Sequence, residues 1–238
     1  IDLHQWTFQG ELFHRNFPDN IGVAKDEDVS CANMFKIGDK WMLLCISHAL
    51  GARYYLGDFK DGKYLPEYHA MMNWAGWDFF APESLLTPDG RRVMWAWCTP
   101  WVNDMQRLKR TKNFDRLMNE KLQAGIQSLP RELSLNEAGR LVIKPLRELE
   151  QLRHDAKQQE NIAVASGETK LLDGIQGDAV ELEIVFQAPA AAEYGICLLA
   201  DEKGEKGFKI AYGKERDTLF VDYVEPPFKL EDNEDLTL

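Results

Sequence analysis

Short apolar runs separated by glycine–aspartate turn pairs constrain this chain more than any other feature of its sequence. The pairs Gly38-Asp39, Asp61-Gly62 and Asp89-Gly90 interrupt alternating apolar segments between residues 26 and 97. Asp-Gly between two such segments is a strong signal for a β-hairpin, because a tight turn needs residues that tolerate positive φ angles. We therefore predict a series of antiparallel strands, with functional groups where the strands begin or where their loops gather.

Length and charge limit the classes of partner that this chain can bind. The 238 residues are enough for one large all-β domain or two smaller ones. The net charge of -11 argues against a nucleic acid or an anionic membrane as partner, and it fits a neutral or weakly charged ligand. No run approaches the roughly 18 apolar residues that a membrane span needs.

The cysteines do not form a C-x-x-C pair, and each lies in an apolar, strand-like run. We interpret them as buried free thiols and not as a zinc site or a disulfide framework. We therefore expect no metal and no cofactor. The free-thiol pattern slightly favours a cytoplasmic location but does not decide it. The oligomeric state also stays open. The cysteines are Cys31, Cys45, Cys98 and Cys197.

A change of pattern near residue 145 predicts a domain boundary. Residues 1–144 carry the first series of strands, the earliest over 1–13. Pro145 then opens a segment with leucines at helical spacing, which predicts a short amphipathic helix over 146–157 within a linker of residues 145–160. Alternating segments after residue 161, beginning with 179–186, predict a half-buried antiparallel sheet in a domain of residues 161–238.

Three segments together resemble glycoside hydrolase family 32, which includes invertases, levanases and inulinases. The first is SLPRELSLNEAGRLVIKPLRELEQLR at 128–153, and the second is DFFAPE at 78–83, followed by DGRR and AW. The third is VSCANMFKIGDK at 29–40. The resemblance implies an all-β fold: part of a five-bladed β-propeller followed by an incomplete β-sandwich.

The family's chemistry requires two carboxyl groups, about 5–5.5 Å apart in a retaining glycosidase. The family's nucleophile is the Asp of a Trp-Met-Asn-Asp-Pro-Asn-Gly segment, which this sequence lacks. We expect that segment upstream of Ile1 in a longer protein, and the last strands of the sandwich beyond Leu238. The 238-residue chain by itself is therefore expected to be inactive.

The acid/base position departs from the family pattern, because the family's Glu-Cys becomes Ser30-Cys31. A serine hydroxyl does not have a pKa suited to general acid catalysis. Asp28 lies two residues earlier and therefore on the same face of a strand as Ser30. Two interpretations stay open: Asp28 is the acid/base, or it binds or supports a sugar in an altered or inactive site.

Five further residues are candidates for substrate binding by their position in the resemblance. Phe80 replaces a family Tyr, Glu83 stands where the family often has Gln, and Trp97 ends a strand where it could stack on a sugar ring. Trp77 lies in a loop and could line the entrance, and His48, after an apolar run, could reach the site. Four of them have a structural alternative: core packing for Phe80 and Trp97, a buried structural carboxylate for Glu83, and a satisfied structural histidine for His48.

The resemblance implies a β-fructosidase that acts on sucrose or on fructans such as levan and inulin. Its partner would be a small or oligomeric fructoside. Two alternatives stay open: a carbohydrate-binding relative that has lost catalysis, and a fructosyltransferase in which a sugar hydroxyl replaces water.

Overall fold

The computed structural model describes residues 4–72, 79–98, 126–177, 179–187, 190–204 and 206–224. The contacts divide the chain into two units, residues 1–149 and 150–237. The described residues form twelve strands and one 3-10 helix (Arg147–Leu152). The strands are β1 (Ser30–Ile37), β2 (Lys40–Ser47), β3 (Gly51–Lys60), β4 (Lys63–Met71), β5 (Phe80–Leu86), β6 (Arg92–Cys98), β7 (Ile126–Gln127), β8 (Arg131–Leu135), β9 (Leu141–Pro145), β10 (Glu193–Leu198), β11 (Gly207–Gly213) and β12 (Thr218–Val224).

All three predicted hairpin turns are confirmed. Gly38-Asp39 joins β1 to β2, Asp61-Gly62 joins β3 to β4, and Asp89-Gly90 lies between β5 and β6. The first four strands form an antiparallel sheet in chain order, β1-β2-β3-β4. The next strands form a second sheet with the order β5-β6-β8-β9, and β7 pairs with β6. Consecutive antiparallel meanders of this kind are the expected arrangement for a propeller.

Strand β2 is buried on both faces of the first sheet. Met42, Leu44 and Ile46 point to one face, and Leu43 and Cys45 point to the other. All five side chains are at most 1% exposed. A strand covered on both faces is apolar throughout and does not alternate, which explains the run WMLLCI in the sequence.

Different parts of the chain cover the two faces of the first sheet. The second sheet covers one face, where Met94, Ala96 and Leu133 join the same apolar cluster as Met42. The segment before β1 covers the other face. Its apolar side chains pack against Leu43, Cys45, Tyr55 and Tyr64, and they come from Phe13, Phe17, Ile21, Val23 and Val29.

Two local predictions in the first unit are corrected. Residues 4–13 do not form the predicted strand; Phe13 forms only an isolated parallel bridge with Tyr64. The helix predicted over 146–157 is a 3-10 helix that ends at Leu152, and none of its residues is buried. A short helix without a buried apolar face gains too little from packing to continue as an α-helix.

Ion pairs hold this 3-10 helix against the turn between β5 and β6. Arg91 Nη2 lies 2.6 Å from Glu148 Oε1, and its Nε lies 2.8 Å from Asp89 Oδ2. Arg147 Nη2 reaches the same Asp89 oxygen at 2.7 Å. Hydrogen bonds from Thr87 and Arg91 lower the pKa of Asp89 to about 2, so the carboxylate stays charged.

The second unit contains a three-stranded antiparallel sheet, β10-β11-β12. The strand predicted over 179–186 is not formed in the described residues 179–187. Alternation produces a strand only where a neighbour supplies backbone hydrogen bonds, and here Val180 and Val185 are 51% and 85% exposed. The division into domains 1–144 and 161–238 with a linker at 145–160 stays a prediction. No helix within the described ranges is long and apolar enough to cross a membrane.

Candidate active site

The start of β1 brings Asp28 and Ser30 together, as their spacing predicts. Ser30 Oγ donates a hydrogen bond of 2.6 Å to Asp28 Oδ1. The register of β1 against β2 shifts between Ser30 and Asn33, and Cys31 in this bulge has a φ of 48°. A positive φ is uncommon for a residue other than glycine, and bulges often lie beside active sites, where they redirect side chains.

His48 binds the other oxygen of the Asp28 carboxylate. Its backbone N–H donates to Asp28 Oδ2 at 3.0 Å, and its ring Nδ1 lies 2.5 Å from the same oxygen. The hydrogen bonds from Ser30 and then from His48 lower the pKa of Asp28 to about 2. A carboxylate that is ionised at all physiological pH values does not have a proton to donate. Asp28 therefore suits a supporting role better than the role of a general acid.

A turn held by Glu27 and Ser47 positions His48. Ser47 is fully buried, and its Oγ donates to Glu27 Oε1 at 2.5 Å. The same hydroxyl accepts hydrogen bonds from the backbone N–H groups of Ala49 and Leu50, at 3.0 and 3.1 Å. Side-chain bonds of this type fix a tight turn after a strand. His48 is thus held by its neighbours in the chain and by Asp28.

Arg53 lies beneath the Asp28 backbone and is fully buried. Its Nη2 donates to the Asp28 carbonyl oxygen, and its Nη1 donates to Tyr55 Oη at 2.6 Å. His69 Nε2 lies 3.4 Å from Nη1, whereas the buried Nε of Arg53 has no hydrogen-bond partner among the residues that the structure describes. Arg53 therefore holds the segment before β1 against β3.

The sequence interpretation did not identify Glu27, Ser47 or Arg53. One signal for Arg53 exists in the sequence: it alternates with Ala52 and Tyr54 inside the apolar run GARYYL. A charged residue in such a run faces the core, where it requires hydrogen-bond partners.

Phe80 lies beside His48 although it belongs to the second sheet. The two rings meet edge to face, with centroids 6.2 Å apart and planes at 69°. The register of β5 also shifts directly after Phe80, and Ala81 has a φ of 45°. Asn33 Oδ1 accepts hydrogen bonds from the N–H of Ser84, at 3.2 Å, and from its hydroxyl, which ties β5 to β1.

The remaining predicted residues take different positions. Trp97 pairs with Phe80 across β5 and β6 and is 42% exposed. Glu83 is exposed opposite Trp95, and within the described part of the chain its side chain has no ion pair or hydrogen bond. Trp77 lies outside the described residues. The structure thus brings Asp28, Ser30, His48 and Phe80 together. We call these four residues the rim cluster.

No group of three or more metal-ligating side chains occurs among the described residues. A surface depression of about 380 Å³ lies along residues 17–25, and its lining does not include any predicted site residue. The rim cluster is an open surface in this chain, with the His48 side chain 68% exposed.

The imidazole of His69 should make stability depend on pH. Burial, and then repulsion by Arg53, lowers the pKa of His69 to about 4, and Glu27 opposes this effect. In the unfolded chain a histidine takes up its proton near pH 6.5. The unfolded state therefore binds more protons between pH 6.5 and 4, so stability is lost as the pH falls through this window.

Replacing His69 with Gln should reduce the slope of the unfolding free energy against pH in this window. The reduction is at most about 1.4 kcal/mol per pH unit, the value for a difference of one bound proton. Urea unfolding of the whole protein at pH values from 7 to 4 measures the slope. His154→Gln, at an exposed site, is the matched control and should keep the wild-type slope. An unchanged slope in the His69 variant would contradict the assignment.

The comparisons with known proteins identify the family. Residues 1–145 match the Glycosyl hydrolases family 32 N-terminal domain, and residues 148–235 match the Glycosyl hydrolases family 32 C terminal region. This all-β chain belongs to a family of glycosyl hydrolases. The family is glycosyl hydrolase family 32. The resemblance found in the sequence is confirmed.

Several relatives carry enzyme names. A levanase from Bacillus subtilis (strain 168) is 28% identical over 94% of this chain and 34% of its own length. A sucrose-6-phosphate hydrolase from Salmonella typhimurium is 29% identical over 65% of this chain and 34% of its own length. The chain thus spans about a third of the length of these relatives.

A solved structure shows the same fold. The sucrose-6-phosphate hydrolase from Lactobacillus gasseri superposes with a TM-score of 0.53 at 17% identity, covering 81% of this chain and 39% of that one. The all-β fold class is confirmed, and the family membership fits a β-propeller followed by a β-sandwich.

Proposed function

We propose that the whole protein hydrolyses β-fructofuranosides. Family membership supports the class of reaction, and relatives named levanase, sucrose-6-phosphate hydrolase and raffinose invertase support the class of substrate. One observation carries the proposal to this chain. Where the resemblance implies the family's acid/base residue, Asp28, Ser30, His48 and Phe80 form a connected cluster of polar groups beside an aromatic ring.

The charge of the rim cluster favours a neutral fructoside over a sugar phosphate. Asp28 is ionised, and the Glu27 carboxylate lies beside it through its hydrogen bond to the Asp28 N–H. Arg53 is the cation hydrogen-bonded to this segment, but it is fully buried and does not present its charge to a ligand. A phosphate here would meet like charge. We therefore favour sucrose or a fructan over sucrose 6-phosphate.

A retaining mechanism would need a second carboxylate to attack the anomeric carbon. The family places this nucleophile in a segment that the 238 residues do not contain. In our proposal it belongs to the rest of the whole protein. The propeller would present it opposite the rim cluster, and the sandwich assigned to residues 161–238 would have a supporting role.

The side chains at positions 28 and 30 also support a second function, namely binding of a fructoside without cleavage. Ser30 has no acidic proton, and its hydroxyl is already bonded to Asp28, whose pKa is about 2. A relative that binds fructosides without cleaving them would tolerate this change, because hydroxyl and carboxylate groups still bind sugar hydroxyls. A fructosyltransferase is a further alternative, since it uses the same site with a sugar as acceptor.

The experiment measures fructose release by the purified whole protein from sucrose, inulin, levan and sucrose 6-phosphate. We expect turnover of the neutral substrates on the order of 1 s⁻¹ or faster, and slower turnover of the phosphate. The 238-residue chain alone is the matched control and should release none. Binding of a fructan by calorimetry without any fructose release would favour the binding relative. Longer fructosides among the products would favour the transferase.

A further inference from the structure

His48 carries a ring nitrogen that the cluster leaves available. Its Nδ1 is bound to Asp28, its side chain is 68% exposed, and Nε2 has no partner in the described part of the chain. Imidazole is the side chain whose ordinary chemistry is to take up and release protons near neutral pH. At the position of a missing acidic residue, such a nitrogen is a candidate for proton transfer.

Asp28 holds this imidazole in one orientation and one tautomer. The same carboxylate oxygen, Oδ2, accepts from the backbone N–H and lies 2.5 Å from Nδ1, so His48 is attached at two points. Ser30 occupies the other oxygen and prevents the carboxylate from turning. Because the carboxylate is charged, the proton of a neutral imidazole stays on Nδ1, and Nε2 is the nitrogen that exchanges a proton with a ligand.

Phe80 defines where the exchanging nitrogen can act. Its ring lies edge to face with the imidazole at 6.2 Å, on the neighbouring strand β5. The aromatic ring covers one side of His48 and leaves the other side to a substrate.

We propose that His48 performs the acid/base proton transfer that the family assigns to a glutamate at position 30, with Asp28 as its positioning residue. This inference rests on the proposed function. In the first step His48 is the imidazolium, with its Nδ1–H held by Asp28, and its Nε2–H gives its proton to the glycosidic oxygen as the bond from that oxygen to the anomeric carbon breaks. The aglycone leaves as an alcohol, and a carboxylate nucleophile of the whole protein forms an ester with the fructosyl group. In the second step the neutral Nε2 takes a proton from water while the water oxygen bonds to the anomeric carbon. The nucleophile leaves as a carboxylate, fructose is released, and His48 is again the imidazolium.

The test compares two substrates that differ in their need for a proton. The glucose half of sucrose leaves as an alkoxide unless the glycosidic oxygen is protonated, whereas the nitrophenolate of p-nitrophenyl β-fructofuranoside leaves readily without a proton. His48→Gln should lower kcat/KM for sucrose by about 10²- to 10⁴-fold, the usual contribution of a general acid. We expect its kcat/KM for the nitrophenyl substrate to fall by less than about 10-fold, far less than the loss for sucrose.

Matched variants separate catalysis from structure. His154→Gln removes an exposed histidine that also contacts an aspartate, Asp155 at 2.9 Å, and it should leave both substrates unaffected. Asp28→Asn should weaken sucrose cleavage more than nitrophenyl cleavage, with a smaller loss than His48→Gln. Added imidazole should restore sucrose cleavage to His48→Ala, because free imidazole can replace the missing ring.

The outcomes are distinguishable. An even loss on both substrates in His48→Gln, or no loss, in an active wild-type protein overturns the role of His48 and leaves the proposed function standing. Failure of imidazole to rescue His48→Ala also counts against it. If the wild-type protein releases fructose from neither substrate, the proposed function is wrong and this inference falls with it.

Discussion

Replacing Arg53 with alanine is expected to lower the free energy of unfolding by about 4 kcal/mol. The side chain is large and fully buried, so truncation leaves a cavity, which by itself costs about 2–5 kcal/mol at large core positions. The change also leaves the Asp28 carbonyl and the Tyr55 hydroxyl without their donor. Each unsatisfied buried group adds roughly 1–3 kcal/mol before the site relaxes.

Arg53→Met is the matched control for this prediction. Methionine fills much of the same volume and removes a buried charge that has no ion pair with any described carboxylate. It does not restore the hydrogen bond to Asp28. We therefore expect Arg53→Met to lower the free energy of unfolding by about half as much as Arg53→Ala. Proteins often keep their stability when a buried ionic group is replaced by an apolar side chain of similar volume. Urea unfolding followed by tryptophan fluorescence measures both variants in the whole protein.

Fructose release provides a second measurement on the Arg53 variants. Both variants free the backbone of Asp28, whose carboxylate holds His48. Sucrose cleavage should therefore fall in Arg53→Met even at temperatures where the protein remains folded. Equal and small stability losses in the two variants would contradict the role of Arg53 in holding the segment before β1.

Replacing Gly57 with alanine is expected to cost about 3 kcal/mol, the upper part of the range for overpacking. Gly57 lies in β3, where the register against β4 shifts between Leu56 and Gly57. A Cβ atom there would lie 2.2 Å from the Leu65 carbonyl oxygen and 2.7 Å from Pro66 Cα. Both atoms belong to the backbone, so the two strands must separate to admit a methyl group.

Gly62→Ala is the control for this second prediction. Gly62 lies in the turn between β3 and β4 with a φ of 73°, and no atom lies within 4 Å of its added Cβ. Only the cost of a left-handed conformation applies, roughly 1–2 kcal/mol. Urea midpoints of the two variants measure the difference, and a Gly57 variant as stable as the Gly62 variant would contradict the predicted clash.

The rim cluster was only partly predictable from the sequence. The proximity of Asp28 and Ser30 follows from a spacing of two residues, which needs only a local extended conformation. The contact of His48 with Asp28 joins residues 20 positions apart. That contact depends on the pairing of β1 with β2 and on a bulge at Cys31, and single-sequence patterns do not reveal bulges.

The difference between local and long-range interactions also explains which strands were predicted correctly. Gly38-Asp39 and the other turn pairs predicted their hairpins correctly, because turn chemistry is carried by the residues of the turn itself. The segment 179–186 alternates through its centre and yet does not form a strand, because a strand also requires a neighbour that accepts its hydrogen bonds.

The sequence by itself determined the hairpins, the all-β class and the family, because turn residues, alternation and motifs are local properties. Only the tertiary structure decided that Arg53 supports Asp28, that Asp28 is held as an anion, and that Phe80 of the second sheet lies beside His48. The physical reason is that hydrogen bonds and ring contacts between distant residues depend on strand register and on the packing of one sheet against another. Neither can be inferred from a local stretch of sequence.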